Sequence, residues 1–331
     1  MSSPNIARVS SLLTSYWRGA VVHAAVKVGL FETLKQGCTT HKELAEMIGC
    51  VPHLVLQVLT CLEKMNLVKS CGGNWGLTEE GALLTKSSPY TLASSALMWW
   101  QEHLDSWRNL DYTLRTGKPA FEALYGKNFF QWFEDCDEAR LLYHESMREY
   151  ARIDYEQVPG IIQGYNPKKV IDVGGGTGYL SEMILEAYPQ TEVHLLDKPK
   201  VINDIEKINL NEKYGPRFKL LKGDLFELPK SQYDAIILSR VLHDWAETEC
   251  MMILKGIKCL LAKDGHAFII DRIPSSGTEA SLVNLDLAVI TGGVEHSYHE
   301  LGEMLALSGL KINDTIDLSN GLRLVIVGLK T

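Results

Sequence analysis

The sequence lacks the cysteine pairs of a disulfide framework or a zinc site. Its 331 residues include seven cysteines, an odd number, and no two of them form a Cys-x-x-Cys motif. The histidines of HSYHE (296–300) follow the pattern H-x-x-H-E, which is neither the H-E-x-x-H zinc motif nor its inverse. This usage predicts free thiols in a reducing compartment and no metal site.

Long uninterrupted apolar runs are also absent. The N-terminus has no apolar stretch of roughly 7–15 residues, which a secretion signal requires. The longest apolar region, around residues 20–31, contains His23 and Lys27 and is too short to span a bilayer. With the free thiols, these absences predict a cytoplasmic protein that has no membrane partner.

Basic side chains are in the minority. The chain has 33 Lys and Arg against 41 Asp and Glu, a net charge of −8, which argues against a protein dedicated to nucleic acid. The composition, 46% hydrophobic and 22% charged, is that of a globular chain. At roughly 100–200 residues per domain, the length predicts two or three domains.

The first 95 residues have the pattern of a winged helix. Thr40 and Glu43 form a capping-box signature, Pro52 lies in the first turn of the next predicted helix, and KSCGGNWGLTEEG (69–81) indicates two short strands around a Gly-Gly turn. A winged helix can bind DNA through its second helix. Here residues 51–63 contain no Lys or Arg, so we expect that helix to pack against another subunit.

Residues 96–160 predict helices rich in large side chains. Most of the aromatic residues there are expected to form core and interface, and some to line a pocket for a flat apolar ligand. Trp100, His103 and, further on, Met147 are the candidates for that pocket. We therefore divide the chain into residues 1–95, 96–160 and 161–331. The last boundary lies at the start of a junction, residues 160–169, that contains Gly and Pro.

From residue 170 onward, short β-rich runs alternate with helix-length segments. This alternation is typical of a parallel, doubly wound sheet. The last two runs are instead joined by Asn320-Gly321, a strong hairpin signal. The predicted fold is α/β: a Rossmann-like sheet of seven strands, the last pair an antiparallel hairpin, preceded by a mostly helical winged-helix domain.

A glycine loop lies between the first of these strands and the next helix. Gly174, Gly176 and Gly178 allow the backbone to approach a ligand closely. The loop is G-x-G-x-G, and Tyr179 occupies the position at which a nicotinamide fingerprint has its third glycine. The loop therefore predicts a cofactor site of another kind.

Three aspartates lie near the carboxyl ends of predicted strands, and therefore at one edge of the predicted sheet. Asp197 lies 19 residues after Gly178, where a carboxylate can bind ribose hydroxyls. Asp224 could accept a hydrogen bond from an adenine amino group, and Asp172 could brace the loop or face a ligand's amine. Any one of them could instead cap a helix at the surface, but together they predict a nucleoside site at the topological switch point.

These segments resemble a known family. IDVGGGTG (171–178), LLDKP (195–199), KGDLF (222–226), SRVLHDW (239–245) and SMREY (146–150) are similar to the motifs of class I S-adenosylmethionine-dependent O-methyltransferases. The subgroup is the one with an N-terminal winged-helix dimerisation domain, which includes caffeate, acetylserotonin and phenazine methyltransferases. The resemblance implies S-adenosylmethionine as cofactor, a homodimer, and an aromatic or polycyclic small molecule as substrate.

The resemblance also implies roles for individual residues. His243 would be the general base, Asp271 stands where the family has a Glu, and Glu295 matches the family's second acidic residue. Met147 would lie near the reacting groups. The residues expected to bind the cofactor are Asp172, Gly174, Gly176, Gly178, Asp197, Asp224, Leu225 and Arg240.

Two alternatives stay open at this point. The same fold could perform N- or C-methylation, or a non-methylating hydroxylation, decarboxylation or pericyclic reaction. A more distant alternative is a winged-helix regulator that senses a nucleoside. The substrate itself is not readable from the sequence, because pocket side chains vary without altering the fold.

Overall fold

The computed structural model describes residues 3–207, 209–274, 282–318 and 321–330. The chain forms two compact units. One consists of Met1–Asp105 with Glu138–Glu149, and the other of Ser106–Asp137 with Tyr150–Thr331. The boundaries that we draw at residues 95 and 160 stay predictions.

The N-terminal unit is mostly helical. Its elements include α1 to α5 (Ser3–Leu13, Tyr16–Lys27, Leu30–Leu34, His41–Met47, Pro52–Lys64), β1 and β2 (Val68–Cys71, Asn74–Leu77), and α6 to α8 (Glu79–Ala82, Ala93–Met98, Glu102–Trp107). The long helix α12 (Asp137–Asp154) supplies its remaining residues, and the last two residues of α8 belong to the second unit.

Helices α4 and α5 and the β1–β2 hairpin form the winged-helix layout. The Thr40 side chain accepts a hydrogen bond from the Glu43 amide, and the Glu43 carboxylate accepts one from the Thr40 amide, so α4 begins with a complete capping box. Gly72 and Gly73 both have positive φ, which the tight turn between β1 and β2 requires. The core of this unit includes Leu44, Leu59 and Leu62, all fully buried.

The second unit is built on a seven-stranded sheet. The strands are β3 to β9 (Lys169–Val173, Glu192–Asp197, Phe218–Lys222, Tyr233–Ser239, Leu261–Arg272, Leu310–Asp317, Leu322–Leu329). Their order in the sheet is β5-β4-β3-β6-β7-β9-β8; the first five in this order are parallel, and β9 is antiparallel to both of its neighbours. The predicted fold class is confirmed, although Asn320 of the predicted hairpin turn lies outside the described residues.

Helices cover both faces of this sheet. The helices of this unit are α9 to α11 (Leu110–Thr116, Ala120–Tyr125, Phe129–Asp135), α13 to α16 (Val158–Gln163, Tyr179–Ala187, Pro199–Lys207, Leu210–Tyr214) and α17 to α19 (Glu247–Leu260, Leu282–Ile290, Tyr298–Leu307). Those whose side chains pack into the cores on the two faces of the sheet are α13 to α16 on one face, and α17 and α19 on the other. Successive side chains of a strand point to opposite faces, so Val170 packs into one core and Ile171 into the other. Both cores are apolar, which is why the strands read as continuous hydrophobic runs.

The strand order reverses between β3 and β6. In an open parallel sheet, the crevice outside the carboxyl ends of such a pair is where ligands bind. The loops that follow β3 and β6 are the glycine loop and the segment that contains His243. The topology therefore places the two most distinctive motifs of the sequence at one edge.

Among the described helices, none is by itself both long and apolar enough to cross a membrane. One bent pair, His41–Met47 with Pro52–Lys64, satisfies the length and composition when its two helices are taken together.

Candidate active site

The glycine loop turns directly from β3 into α14. Gly174, Gly176 and Gly178 have φ of 71°, 55° and 77°, a region in which side chains other than glycine are strained. A Cβ on Gly178 would lie 2.9 Å from Leu195 Cδ1, and one on Gly174 would lie 3.1 Å from Val241 Cγ2. The loop is thus close to β4 on one side and to the His243 segment on the other.

Gly175, the middle glycine of the loop, is a position that our site prediction omitted. Its φ is ordinary, but a Cβ there would lie 2.8 Å from the Asp172 carboxyl carbon and 2.9 Å from Leu195 Cγ. The run of three glycines was the available signal. The backbone at Gly175 therefore passes directly over Asp172.

Asp172 is buried beneath this loop. Its Oδ2 accepts a hydrogen bond of 2.8 Å from the hydroxyl of Ser181 on α14. Burial raises the pKa of Asp172 to about 6, with a contribution from the charge of Asp197, while the Ser181 hydrogen bond opposes the shift. The geometry fits a brace for the loop, one of the two roles expected from the sequence.

Asp197, the last residue of β4, connects that strand to the glycine loop. Its Oδ2 accepts a hydrogen bond of 2.8 Å from the Gly176 amide, and its Oδ1 accepts one of 2.7 Å from the Lys198 amide. Burial raises its pKa, and the two amides oppose the rise. Asp197 therefore stands where a carboxylate can meet a ligand held by the loop.

Asp224 follows β5, two residues after the strand ends. Its side chain is exposed, and its Oδ1 accepts a hydrogen bond of 2.9 Å from the Phe226 amide. Leu225, between them, packs against the apolar core on that side of the sheet. The two residues are at the expected edge, and their contact with a cofactor stays a prediction.

Arg240 follows β6 with an unusual backbone conformation. Its φ is 54°, and its amide donates to the Ile270 carbonyl oxygen at 2.8 Å. Its guanidinium forms a 2.8 Å ion pair with the buried Asp154 of α12 and lies 6.0 Å from the centre of the Tyr150 ring. Asp154 was missed in the sequence, because its pairing joins a helix to a strand end far along the chain.

His243 and Asp271 form a hydrogen-bonded pair at the ends of β6 and β7. The ring Nδ1 of His243 bonds Asp271 Oδ1, and the backbone amide of His243 donates to Asp271 Oδ2 at 3.2 Å. Asp271 is 5% exposed, so its charge is little screened by water. The structure thus brings together two of the three predicted catalytic residues.

The charges around His243 favour its protonated form. Burial lowers the pKa of the ring, but the carboxylates of Asp271 and Asp244 outweigh burial and raise it to about 9. Asp244 Oδ2 lies 3.8 Å from the other ring nitrogen, Nε2. Burial raises the pKa of Asp244 to about 6, and Asp271 and Asp286 add to that rise while His243 and Arg240 oppose it.

Glu295, the third predicted catalytic residue, is buried in a loop that crosses the His243 segment. The Val294 amide donates to the His243 carbonyl oxygen at 2.9 Å, and the Glu295 amide donates to Asn284 Oδ1 at 3.0 Å. A Cβ on Gly293 would lie 2.0 Å from the His243 carbonyl oxygen. The loop is therefore bonded to the His243 segment through its backbone, and a direct role for the Glu295 side chain stays a prediction.

The three predicted pocket residues belong to the N-terminal unit. Trp100 stacks on His23, with ring centres 5.5 Å apart, and His103 packs edge-on against Trp99. Burial lowers the pKa of His103 to about 4, so this histidine is neutral. Met147 is half-buried on α12. The substrate contacts expected of Trp100, His103 and Met147 stay predictions.

Within the described residues, no group of three or more His, Cys, Asp or Glu side chains is arranged to hold a metal ion. All seven cysteines are free thiols. The features that fit a ligand are instead the glycine cradle and the carboxylates at the ends of β3 and β4.

Comparison with known proteins matches the chain to one family and several relatives. Residues 107–311 match the model of the O-methyltransferase domain. O-methyltransferase 12 of Dictyostelium discoideum is 31% identical over 95% of this chain and 87% of its own length. Mitomycin biosynthesis 6-O-methyltransferase of Streptomyces lavendulae is 27% identical, over 95% of this chain and 91% of the relative.

The solved structures share the fold. Human N-acetylserotonin methyltransferase, solved in complex with S-adenosylmethionine, superposes with a TM-score of 0.91 at 21% identity and covers all of both chains. At that identity the likeness supports the architecture alone.

Proposed function

The chain belongs to the O-methyltransferase domain family, and from that premise we propose that it transfers the methyl group of S-adenosylmethionine to a hydroxyl of an aromatic or polycyclic small molecule. The relatives include an enzyme named for mitomycin biosynthesis, which supports a role in secondary metabolism. The observation that carries the proposal is the His243–Asp271 pair, next to a glycine loop at the switch point of the sheet.

The residues of the loop suit a nucleoside with a cationic sulfonium. The backbone at Gly174, Gly176 and Gly178 would hold the cofactor, Asp197 would accept hydrogen bonds from ribose hydroxyls, and Asp172 would brace the loop beneath them. Asp224, Leu225 and Arg240 would surround the adenosine. When bound, S-adenosylmethionine supplies an electrophilic methyl group, and the carboxylates of this edge favour its positive charge.

His243 would act as general base. The form that acts as base is the neutral ring, which is the minority form at neutral pH because the pKa of His243 is raised to about 9. With Nδ1 bonded to the Asp271 carboxylate, that form carries its proton on Nδ1 and leaves Nε2 free to accept a proton. A phenol is mostly protonated at neutral pH and is then a weak nucleophile, so removal of its proton by Nε2 prepares the oxygen for in-line attack. The Asp271 carboxylate stabilises the imidazolium that results, and Glu295 would support the same segment.

A calorimetric titration with S-adenosylhomocysteine, the demethylated product, tests the cofactor site. We expect binding to the native chain and its loss in Asp197→Ala. The control is Asp317→Ala, which removes an exposed carboxylate from β8 of the same unit. Equal affinity of all three proteins would refute the assignment of Asp197, and absence of binding to the folded native chain would refute the cofactor site.

Incubation with S-adenosylmethionine and hydroxylated aromatics then tests the reaction. A product heavier by one methyl group, located on oxygen by NMR, is the expected result. Methylation on nitrogen or carbon, or an unmethylated product, would favour the alternative chemistries of the same fold.

We also propose that the protein is cytoplasmic, which its free thiols favour, and that its N-terminal unit forms a homodimer. Helix α1 and the start of α2 expose Ile6, Leu12, Leu13, Tyr16 and Trp17 by more than half of their surfaces. Large apolar side chains exposed together along one segment are typical of an interface. Light scattering should report twice the mass of the chain, and a salt-dependent gel shift with DNA would instead revive the regulator hypothesis.

A further inference from the structure

Helix α18 is fixed by the loop that follows it to the segment that contains His243 and Asp244, which we call the catalytic segment. The Gly292 amide donates to the carbonyl oxygen of Leu287 at 2.8 Å, which ends the helix, and two residues later Val294 bonds the His243 carbonyl oxygen. Gly293 passes so close to His243 that a side chain does not fit there. Side chains on α18 therefore have a defined position relative to His243.

Asp286 lies on this helix and is half-buried. Its Oδ1 accepts a hydrogen bond of 2.5 Å from the indole Nε1 of Trp107. An indole can only donate, so this bond orients the carboxylate and holds the Trp107 ring in place. Among the residues that the structure describes, none donates a hydrogen bond to the other carboxylate oxygen, and no Lys or Arg forms an ion pair with it.

The charge of Asp286 reaches the catalytic segment. Burial raises the pKa of Asp286 to about 6, with Trp107 opposing, so the carboxyl is mostly ionised above neutral pH. The same charge contributes to the raised pKa of Asp244, whose carboxylate lies beside His243 Nε2. This side of the His243 segment therefore carries two carboxylates, and the positive charges that oppose them at Asp244 are those of His243 and Arg240.

We propose that Asp286, oriented by Trp107, is a specificity-determining residue that favours acceptor molecules with a protonated amine near the reacting hydroxyl and disfavours acceptors with a carboxylate there. An ammonium group of the acceptor molecule would donate a hydrogen bond to the second oxygen of the half-buried Asp286 carboxylate. A second carboxylate would be repelled by it, so the residue selects by attraction and by exclusion. The inference rests on the proposed function, because it concerns the acceptor side of that site.

The test compares three catechols that share a ring and differ in one substituent: aminoethyl, methyl or carboxymethyl. Their affinities are measured by calorimetry on the full chain saturated with S-adenosylhomocysteine, at pH 7.5. We expect the native chain to bind the amine more tightly than the carboxylate by about tenfold to a hundredfold. In Asp286→Asn, which keeps an oxygen for Trp107 and loses the charge, we expect the preference to fall to about twofold.

Asp111→Asn is the matched control. It removes one negative charge from an exposed position on α9 of the same unit and should leave the ranking of the three catechols unchanged. A native preference that survives in Asp286→Asn would overturn the inference, and so would a native chain that binds the carboxylate as tightly as the amine. A chain that binds S-adenosylhomocysteine and none of the catechols would refute the aromatic acceptor of the proposed function, and this inference with it.

Discussion

Asp271 bonds His243 at two points, the ring and the backbone. One carboxylate oxygen contacts ring Nδ1, and the other accepts from the His243 amide at 3.2 Å. Asp271 Oδ1 also accepts a hydrogen bond of 2.9 Å from the Arg272 amide. Backbone amides that follow β6 and end β7 therefore both hold the carboxylate. The short side chain of Asp271, at a position where the resemblance implies a Glu, therefore reaches both the ring and the backbone amide of His243.

Replacing His243 with Ala should lower kcat by about 10²- to 10⁴-fold, because the acceptor hydroxyl loses its base. The affinity for S-adenosylhomocysteine should stay within about twofold of the native value, since the variant leaves the glycine loop intact. His299→Ala, on an exposed face of α19, is the control and should be fully active. Native turnover in His243→Ala would rule out the general-base role.

Replacing Asp271 with Asn keeps the shape of the side chain and removes its charge. We expect kcat to fall by at least about tenfold, though by less than in His243→Ala, because the imidazolium loses its stabilising carboxylate. Asp271 raises the pKa of His243, so the pH at which kcat/KM rises should move downward in the variant. A lower kcat with an unmoved pH profile would mean that Asp271 acts on structure alone.

The raised pKa of His243 links stability to pH. Below about pH 6.5 the ring is protonated in both the folded and the unfolded chain, and the full stabilisation is present. As the pH rises from there through about 9, the folded ring loses its proton and the stabilisation is lost. The native chain should therefore lose up to about 3 kcal/mol of unfolding free energy relative to His243→Gln over this window.

Urea unfolding of both proteins at several pH values from 6 to 10 measures that difference. A difference that stays constant, or grows with pH, would contradict the raised pKa. The pKa of Asp244, about 6, lies below the range from pH 7 to 10, so the change over that range is assigned to His243.

The sheet and the glycine loop were predictable because local patterns encode them. Continuous apolar runs mark strands buried on both faces, and a glycine run between a strand and a helix marks a close backbone approach. The positions of His243 and Asp271 at this edge were predictable in the same way, since each follows or ends such a run, whereas their roles came from the resemblance to the methyltransferase motifs. Their meeting follows from parallel strands, whose carboxyl ends share one edge.

The partners of these residues were not predictable from periodicity. Trp107 and Asp286 are 179 residues apart in the sequence. Asp154 of α12 and Arg240, which follows β6, are also far apart in the sequence. Such pairings depend on how helices pack on the sheet, which the spacing of apolar residues does not determine. For Asp224, the position at the sheet edge was predictable, but the hydrogen bond that it accepts from the Phe226 amide was not.

Gly293 allows the sharpest test of how the loop before Glu295 supports catalysis. A Cβ in Gly293→Ala would lie 2.0 Å from the His243 carbonyl oxygen and 2.8 Å from the backbone of Asp244, so the two segments must separate. We expect the free energy of unfolding to fall by about 1–3 kcal/mol and kcat to fall with it, because His243 moves with its segment. S-adenosylhomocysteine should still bind, since the glycine loop after β3 is unchanged.

Gly160→Ala is the matched control, with the opposite expected sign. Gly160 is exposed within helix α13, and a Cβ there would meet nothing within 4 Å. Alanine is the better helix former, so this variant should gain about 0.5–1 kcal/mol and keep its activity. If both glycine variants proved equally stable and active, the close approach of Gly293 to His243 would be refuted, and with it the fixed position of α18 on which the role of Asp286 depends.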